Sequence, residues 1–153
     1  MMLYITTSPH ILSTLLAEIE TFAPSSPISD AEARKMPYLQ AIIKEALRIW
    51  PPVTGLGSKE VPKQGDTLNG LFVPGGTHVG YAVWGLFRSK EVWGEDANLF
   101  RPERWMIEDV ARLKGMDAVW DLIFNHGKWQ CLGKSVALIE LNKVVVEVSW
   151  TPQ

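Results

Sequence analysis

Apolar side chains near the N-terminus recur with the spacing of an amphipathic helix. Ser8 and Pro9 are typical of a helix start, with serine as the N-cap and proline in the first turn. The apolar stripe that follows consists of Leu12, Leu15, Leu16 and Ile19. A loop rich in proline and serine is predicted over Phe22–Ser29, and Ser29 with Glu32 has the spacing of a capping box for a short helix.

The strongest helical pattern begins at Pro37. Its apolar face consists of Leu39, Ile42, Ile43, Ala46, Leu47 and Trp50. This helix is predicted to end at Pro51 and Pro52, because proline cannot continue it. A last helix is predicted from Leu132 to Ser149, with one face formed by Ala137, Leu141, Val144, Val145 and Val148.

Between these helices the chain has short apolar runs broken by glycine. The segment Val53–Tyr81 contains the turn signals Asn69-Gly70 and Pro74-Gly75-Gly76, which predict two or three short antiparallel strands. Residues 82–123 have weak periodicity and many turn formers, so they are interpreted mainly as loop. The order of elements is unlike a doubly wound α/β sheet, in which strands and helices alternate. It predicts a mainly α fold with a small antiparallel β region.

Composition narrows the class of protein. The 153 residues are 46% hydrophobic and 21% charged, with a net charge of −2, which argues against nucleic-acid binding. One cysteine excludes an internal disulfide. The sequence has no run of 18 apolar residues, so no transmembrane helix is predicted. The N-terminus also lacks the basic region of a signal peptide.

The single cysteine, Cys131, allows several kinds of chemistry. Gly133-Lys134-Ser135 is like the end of a phosphate-binding loop, but the required earlier glycine is replaced by Lys128. A zinc site is not expected, because no histidine stands at ligand spacing from another ligand. A nucleophilic cysteine would need a histidine base, and His126 lies on the same tight loop. A redox-sensitive role for Cys131 is a further alternative.

Glu45 and Arg48 stand three residues apart on the strongest predicted helix. Such a pair is usually a solvated surface contact worth roughly a few tenths of a kcal/mol. Leu47 and Ile49 beside them indicate partial burial. A buried pair needs further partners to offset its desolvation, and Arg104 is a candidate.

Three segments together resemble the cytochrome P-450 family of haem-thiolate monooxygenases. Glu45–Arg48 is similar to the family's E-x-x-R, and Phe100–Trp105 to its F-x-P-E-R-[FW]. Phe124–Gly133 is similar to its haem loop, F-x-x-G-x-x-x-C-x-G. The likeness extends from Met1 to Val148 and is most evident for fungal members of the microsomal type, the pisatin-demethylase-like group.

The resemblance implies that 1–153 is a single partial domain, the C-terminal haem-binding portion of the family fold. Its elements would be the end of the I helix, the J and K helices, β hairpins, the meander, the Cys loop and the L helix. The oxygen-activating motif of the I helix is expected before Met1, so no catalytic residue is identified here.

The resemblance also implies haem b as cofactor, with Cys131 as the axial ligand of its iron. The other implied cofactor-binding residues are Phe124, Gly127, Lys128, Gly133, Ala137 and Lys59. The start of the last helix would favour the thiolate, and the two glycines would let the backbone turn tightly. Glu45, Arg48 and Arg104 would form a structural triad with no chemical step.

The chain departs from the family pattern at the haem loop. Many members have arginine where this chain has Trp129, and that arginine pairs with a haem propionate. Lys128 is the candidate for replacing that charge, although lysine is a point charge without the fork of arginine. Lys59 stands where the family usually has a second propionate-binding arginine. Asn125 replaces a glycine that often follows the phenylalanine, and asparagine tolerates unusual backbone angles.

The implied function is insertion of one oxygen atom of O2 into a small organic substrate. Electrons would come from NADPH through a reductase, and the full-length family is located at the endoplasmic reticulum membrane, although this chain shows no anchor. The alternative is a catalytically inert fragment that retains only the proximal haem-binding half. The substrate is not identified, because most recognition segments are expected outside this sequence.

Overall fold

The structure, a computed structural model, describes residues 1–22, 24–55 and 57–150. Ala23 of the predicted loop, Leu56 of the predicted β region and 151–153 lie outside the described residues. The helices are α1 (Met2–Thr7), α2 (Pro9–Phe22), α3 (Asp30–Ala33), α4 (Pro37–Ile49), α5 (Val83–Leu86), α6 (Lys90–Trp93), α7 (Val110–Asp121) and α8 (Lys134–Ser149). No helix in this described part is long and apolar enough to cross a bilayer.

The β region consists of four short strands: β1 (Lys59–Glu60), β2 (Asp66–Leu68), β3 (Leu71–Val73) and β4 (His78–Val79). They form two antiparallel pairs, β1 with β4 and β2 with β3, so the predicted number of strands was too low. Asn69 (φ 49°) and Gly70 (φ 81°) make the tight turn between β2 and β3, since both positions require positive φ. The mainly α fold with a small antiparallel β region is confirmed.

The N-terminal helices follow their local signals. α2 starts at Pro9, and the carbonyl of Ser8 accepts from the N–H of Leu12 at 3.1 Å. The buried face of α2 is formed by Ile11, Leu15 and Ile19, so the predicted stripe is rotated towards Ile11. The capping box at the start of α3 is confirmed. Hydrogen bonds from Ser29 and Ser25 lower the pKa of Glu32 to about 2.

The bounds of α4 confirm the predicted start at Pro37 and the stop before the proline pair. Trp50 does not join the apolar face, because the backbone leaves the helix at this residue and its side chain is 58% exposed. The N-terminus of α4 has no side-chain cap of its own. Glu18 of α2 supplies one, accepting from the N–H groups of Tyr38 (2.8 Å) and Leu39 (2.9 Å).

The interpretation of 82–123 as loop was wrong for α7. Asp109 caps this helix by accepting from the N–H of Arg112 at 3.0 Å. Only Met116 and Trp120 of α7 are buried. A stripe of two apolar residues is too narrow to produce the periodicity by which helices are recognised.

The core has two parts. The first joins α1 to α4 with α8 through aliphatic residues, among them Ile5, Leu15, Ile19, Leu39, Ile42, Val145 and Val146. The second is aromatic and lies between α4 and the chain from α5 to α7, with Phe87, Trp93, Trp105, Trp120 and Phe124 as its rings. Because α4 packs against both parts of the core, it joins them.

The face of α8 that packs is not the predicted one. Val145 is buried as predicted, but Val144 is 51% and Val148 65% exposed. Asn142 is buried instead, where it donates to Asp30 Oδ1 (2.6 Å) and accepts from Gln40 Nε2 (2.9 Å). Val144 and Val148 therefore lie on the outward side of α8, whereas Val145 and Val146 pack in the core.

We expect Glu18→Ala to lower the free energy of unfolding by about 1 kcal/mol, because the first two N–H groups of α4 lose their only side-chain acceptor. Glu20→Ala on the exposed side of the same helix is the matched control, with a change below about 0.5 kcal/mol. Urea unfolding measures both. Equal midpoints for the two variants would contradict a capping role.

Candidate functional site

A buried carboxylate on α4 gathers several basic and polar groups. Glu45 has no exposed surface. Its oxygens accept from Arg48 Nε (2.9 Å) and Nη2 (2.8 Å), Arg104 Nε (2.9 Å), Trp105 Nε1 (3.0 Å) and the backbone N–H of Arg101 (2.9 Å). The structure thus brings Glu45, Arg48 and Arg104 together. Sequence reasoning missed Trp105, although it lies in the motif that contributes Arg104.

The other N–H groups of the two arginines bind the segment between α5 and the 3₁₀ turn at Pro102–Trp105. Arg48 donates to the carbonyl oxygens of Phe87 (2.8 Å), Ala97 (2.7 Å) and Leu99 (3.0 Å). Arg104 donates to the carbonyl oxygens of Trp93 (2.7 Å), Asp96 (3.0 Å) and Leu99 (3.3 Å). These bonds give an irregular segment a fixed path, because they satisfy carbonyls that no helix or strand satisfies.

Asp96 brings the second negative charge to this network. Its Oδ1 lies 3.1 Å from Arg104 Nη1, and its Oδ2 lies 2.8 Å from Arg101 Nε. Burial by itself would raise the pKa of Asp96, but the charge and hydrogen bond of Arg104, followed by the charge of Arg101, lower it below its usual value. Arg104 therefore lies between two carboxylates, those of Glu45 and Asp96. No spacing rule in the sequence pointed to Asp96.

The loop that carries Cys131 is held at its base. Phe124 is buried, and its ring contacts Trp120 edge-on with centroids 5.7 Å apart. The carbonyl of Phe124 accepts from the N–H of Cys131 at 2.7 Å. Tyr81 donates its hydroxyl to the carbonyl of Leu122 at 2.9 Å. The β region and the aromatic core therefore both hold the start of this loop.

A salt bridge closes the loop from its other end. Lys134, the first residue of α8, places Nζ 2.8 Å from Asp121 Oδ1 at the end of α7. The same ammonium lies 5.4 Å from the centre of the Phe124 ring. The two helices that flank the loop are thus linked to each other directly. Neither Tyr81 nor the Lys134–Asp121 pair was found by sequence reasoning, because each pairs positions far apart in the chain.

The backbone dihedral angles of the loop explain the glycine at position 127 but not the one at position 133. Asn125 (φ 58°) and Gly127 (φ 60°) both have positive φ, which the chain needs to turn back towards Cys131. The chain turns at Leu132 and Gly133, but Gly133 has φ −82°, which any residue adopts, so this turn does not require glycine. A Cβ at Gly133 would lie 3.7 Å from Cys131 Sγ, an ordinary contact.

The thiol of Cys131 is exposed. α8 begins at Lys134, later than the predicted Leu132, so Cys131 lies in the turn before the helix. The carbonyl of Cys131 accepts from the N–H of Lys134 at 3.3 Å, which joins this turn to the first turn of α8. The loop therefore holds the cysteine backbone on both sides while leaving its sulfur open to a ligand.

Two of the predicted cofactor-binding residues meet at an indole ring. Lys59 Nζ lies 4.9 Å and Lys128 Nζ 5.2 Å from the centroid of Trp129, whose side chain is 55% exposed. Lys59 belongs to β1, whereas Lys128 and Trp129 form a 3₁₀ turn with Gly127 in the loop. The structure therefore gathers both candidate cations next to the residue that replaces the expected arginine.

An apolar groove lies along the exposed side of α8. It encloses about 380 Å³ and is lined by Leu47, Pro52, Phe124, Ala137, Glu140, Leu141 and Val144. Phe124 and Ala137, which the sequence singled out separately, line it together. Ala137 and Val144 of α8 thus line this groove, and Leu141 joins it to the aliphatic part of the core.

We expect Glu45→Ala to lower the free energy of unfolding by about 3–5 kcal/mol, because Arg48 and Arg104 would remain buried without their shared carboxylate. Circular dichroism during denaturant unfolding measures the change. The matched control is Glu95→Ala, which breaks the exposed Lys90–Glu95 pair and is expected to cost less than about 0.5 kcal/mol. Similar decreases in the free energy of unfolding of the two variants would contradict the structural role of Glu45.

Comparisons with known proteins give one consistent result. The family described as Cytochrome P450 matches residues 1–148. The cytochrome P450 monooxygenase ABA1 of Pyricularia oryzae is 48% identical over 121 residues, covering 79% of this chain and 24% of the relative. The cytochrome P450 monooxygenase abl1 of Leptosphaeria maculans is 41% identical over 150 residues, covering 95% of this chain and 26% of the relative.

A third relative has a name that states a reaction. Pisatin demethylase of Fusarium vanettenii is 38% identical over 145 residues, covering 95% of this chain and 27% of the relative. The chain therefore spans about a quarter of the length of the curated relatives that it matches.

Proposed function

The chain belongs to the cytochrome P450 family, and from that premise we propose that its Cys131 loop binds haem with the cysteine sulfur as axial ligand of the iron. The predicted family and its fungal likeness, pisatin demethylase included, are confirmed. Membership implies haem iron and a monooxygenase role. The residues that would serve them in this chain, and the boundaries 1–153 of a single haem-binding portion, are our proposal.

The chemistry of the available groups fits haem. This cofactor presents an iron, an apolar macrocycle and two carboxylates. The loop presents an exposed soft sulfur for the iron at Cys131. An apolar groove that includes Phe124 and Ala137 lies beside the loop. Lys59 and Lys128 supply positive charge for carboxylates. The single observation that carries the proposal is the open thiol on a loop held at both ends.

Each loop residue then has a physical task. Cys131 donates its sulfur, and its backbone N–H is already bonded to the Phe124 carbonyl, which limits the orientation of the side chain. Buried Phe124 excludes water from the base of the loop. Gly127 supplies the positive φ that returns the chain to the cysteine. Gly133, which needs no special φ, keeps the space beside the sulfur clear of a side chain.

Two further elements support the loop. Glu45, Arg48 and Arg104 act as a structural triad: they fix the segment up to Trp105, whose ring packs in the same aromatic core as Phe124. The small side chain of Ala137 leaves space in the groove, so that a flat ligand can approach α8. None of these residues takes part in a chemical step.

Haem with a thiolate ligand supplies the electron density that favours cleavage of the O–O bond of O2. We propose that the protein inserts one oxygen atom into a small organic substrate, with electrons from NADPH delivered by a reductase. We also propose association with the endoplasmic reticulum membrane. The second candidate function is haem binding without turnover.

Haem binding through Cys131 has a direct spectroscopic test. The purified chain is titrated with haemin, reduced and exposed to carbon monoxide. We expect a red-shifted Soret band typical of thiolate ligation in the wild type, and loss of that band in Cys131→Ala. Unfolding of Cys131→Ala is expected to match the wild type, because the side chain is exposed. The matched control for loop chemistry is Ser135→Ala, which leaves the sulfur unchanged.

Two results would contradict the proposal. Absence of haem uptake by the wild type is one, and an identical carbon monoxide spectrum in Cys131→Ala is the other. Product formation with a P450 reductase and NADPH then separates the two candidate functions. Haem uptake with no oxygen consumption above the reductase background would favour the inert haem-binding portion.

A further inference from the structure

Trp129 occupies the centre of a small cationic cluster next to the proposed thiolate. The ammonium of Lys59 approaches its ring from β1 and that of Lys128 from within the loop, at 4.9 Å and 5.2 Å from the ring centroid. The indole is more than half exposed, so burial in a core does not explain its position. Trp129 therefore links the β region to the cysteine loop through two cations.

The cluster has an excess of positive charge. Among the described residues, neither Lys59 nor Lys128 has a carboxylate within 4.0 Å, whereas Lys44, Lys90 and Lys134 each have one. Two ammonium groups beside one ring repel each other, and the electron-rich face of the indole offsets part of this repulsion. A negatively charged ligand that contacts the ammonium groups would offset the rest. The cluster is thus arranged to receive negative charge.

We propose that Trp129 is a positioning residue that holds Lys59 and Lys128 as a paired-ammonium site for the two carboxylates of haem. This inference rests on the proposed haem function and adds to it how the missing arginine is replaced. Arginine would contribute one guanidinium fork from a single position. Here two separate point charges are used, and a neutral aromatic ring fixes their spacing.

The ring of Trp129 affects how strongly the two lysines bind the carboxylates of a ligand. Lysine has several rotatable bonds, so each exposed ammonium loses side-chain entropy when it is confined to one contact. The indole confines both lysines before the ligand arrives, which lowers that cost. Removing the ring therefore weakens recognition of the carboxylates, and leaves binding through the sulfur and the apolar groove in place.

The test compares haemin with its dimethyl ester, which keeps the iron and macrocycle but has no carboxylate charge. Dissociation constants of both are measured by absorbance titration for the wild type, Trp129→Leu and Trp129→Phe. We expect the wild type to prefer the acid by roughly tenfold, as two exposed ion pairs allow. Trp129→Leu should reduce this preference about threefold, and Trp129→Phe should restore most of it because its ring also attracts cations.

A double-mutant cycle separates positioning from simple packing. Lys59→Met should reduce the preference for the acid in the wild-type background and change it little in Trp129→Leu. A wild type without preference for the acid, or a Trp129→Leu variant with the full preference, would overturn the inference. Unfolding midpoints of all variants should agree, because Trp129 and Lys59 are exposed.

Failure of this inference is distinct from failure of the haem proposal. If Cys131→Ala and the wild type have the same carbon monoxide spectrum, thiolate ligation is wrong, whatever the preference for the acid. If the spectra differ but acid and ester bind equally, only the role of Trp129 is wrong. If the wild type takes up neither ligand, both proposals are wrong.

Discussion

The buried carboxylate of Glu45 is the interaction on which the rest of the structure depends. Arg48 binds it from the same helix. Arg104, the indole N–H of Trp105 and the backbone N–H of Arg101 bind it from the segment that follows the β region. A buried charge is tolerated only when its partners are complete, so this network is formed as a whole or not at all. It fixes the irregular chain between α5 and α7 relative to α4.

That fixed segment supports the cysteine loop through aromatic packing. Trp105 bonds Glu45 and also belongs to the core that contains Trp120 and Phe124. Phe124 in turn bonds the backbone of Cys131. The hydrogen-bonded network around Glu45 thus positions the cysteine loop through aromatic rings that pack closely and deform little. The thiol depends on this support for its position, because its own side chain is exposed.

Much of the framework was predictable because it depends on neighbours in the chain. The ends of α4 follow from prolines, the start of α3 from its capping box, and the β2–β3 turn from Asn69-Gly70. The motifs also located the three charged residues Glu45, Arg48 and Arg104 and the cysteine loop. Helix α7 was missed because its apolar stripe is too narrow, and Trp50 because the backbone leaves α4 at that residue. The packing face of α8 was not predictable, because it includes Asn142, whose partners Gln40 and Asp30 are distant in sequence.

The sequence by itself determined the family, the helices α2, α4 and α8 and the loop that carries the single cysteine, because local propensity and motif spacing carry that information. Only the tertiary structure decided what surrounds the thiol. It brought Lys59 from a strand to the ring of Trp129, joined Asp121 to Lys134 across the loop, and placed Val144 of α8 at an open groove. The physical reason is that these contacts join residues that are separated along the chain and meet only when buried polar groups have found their partners.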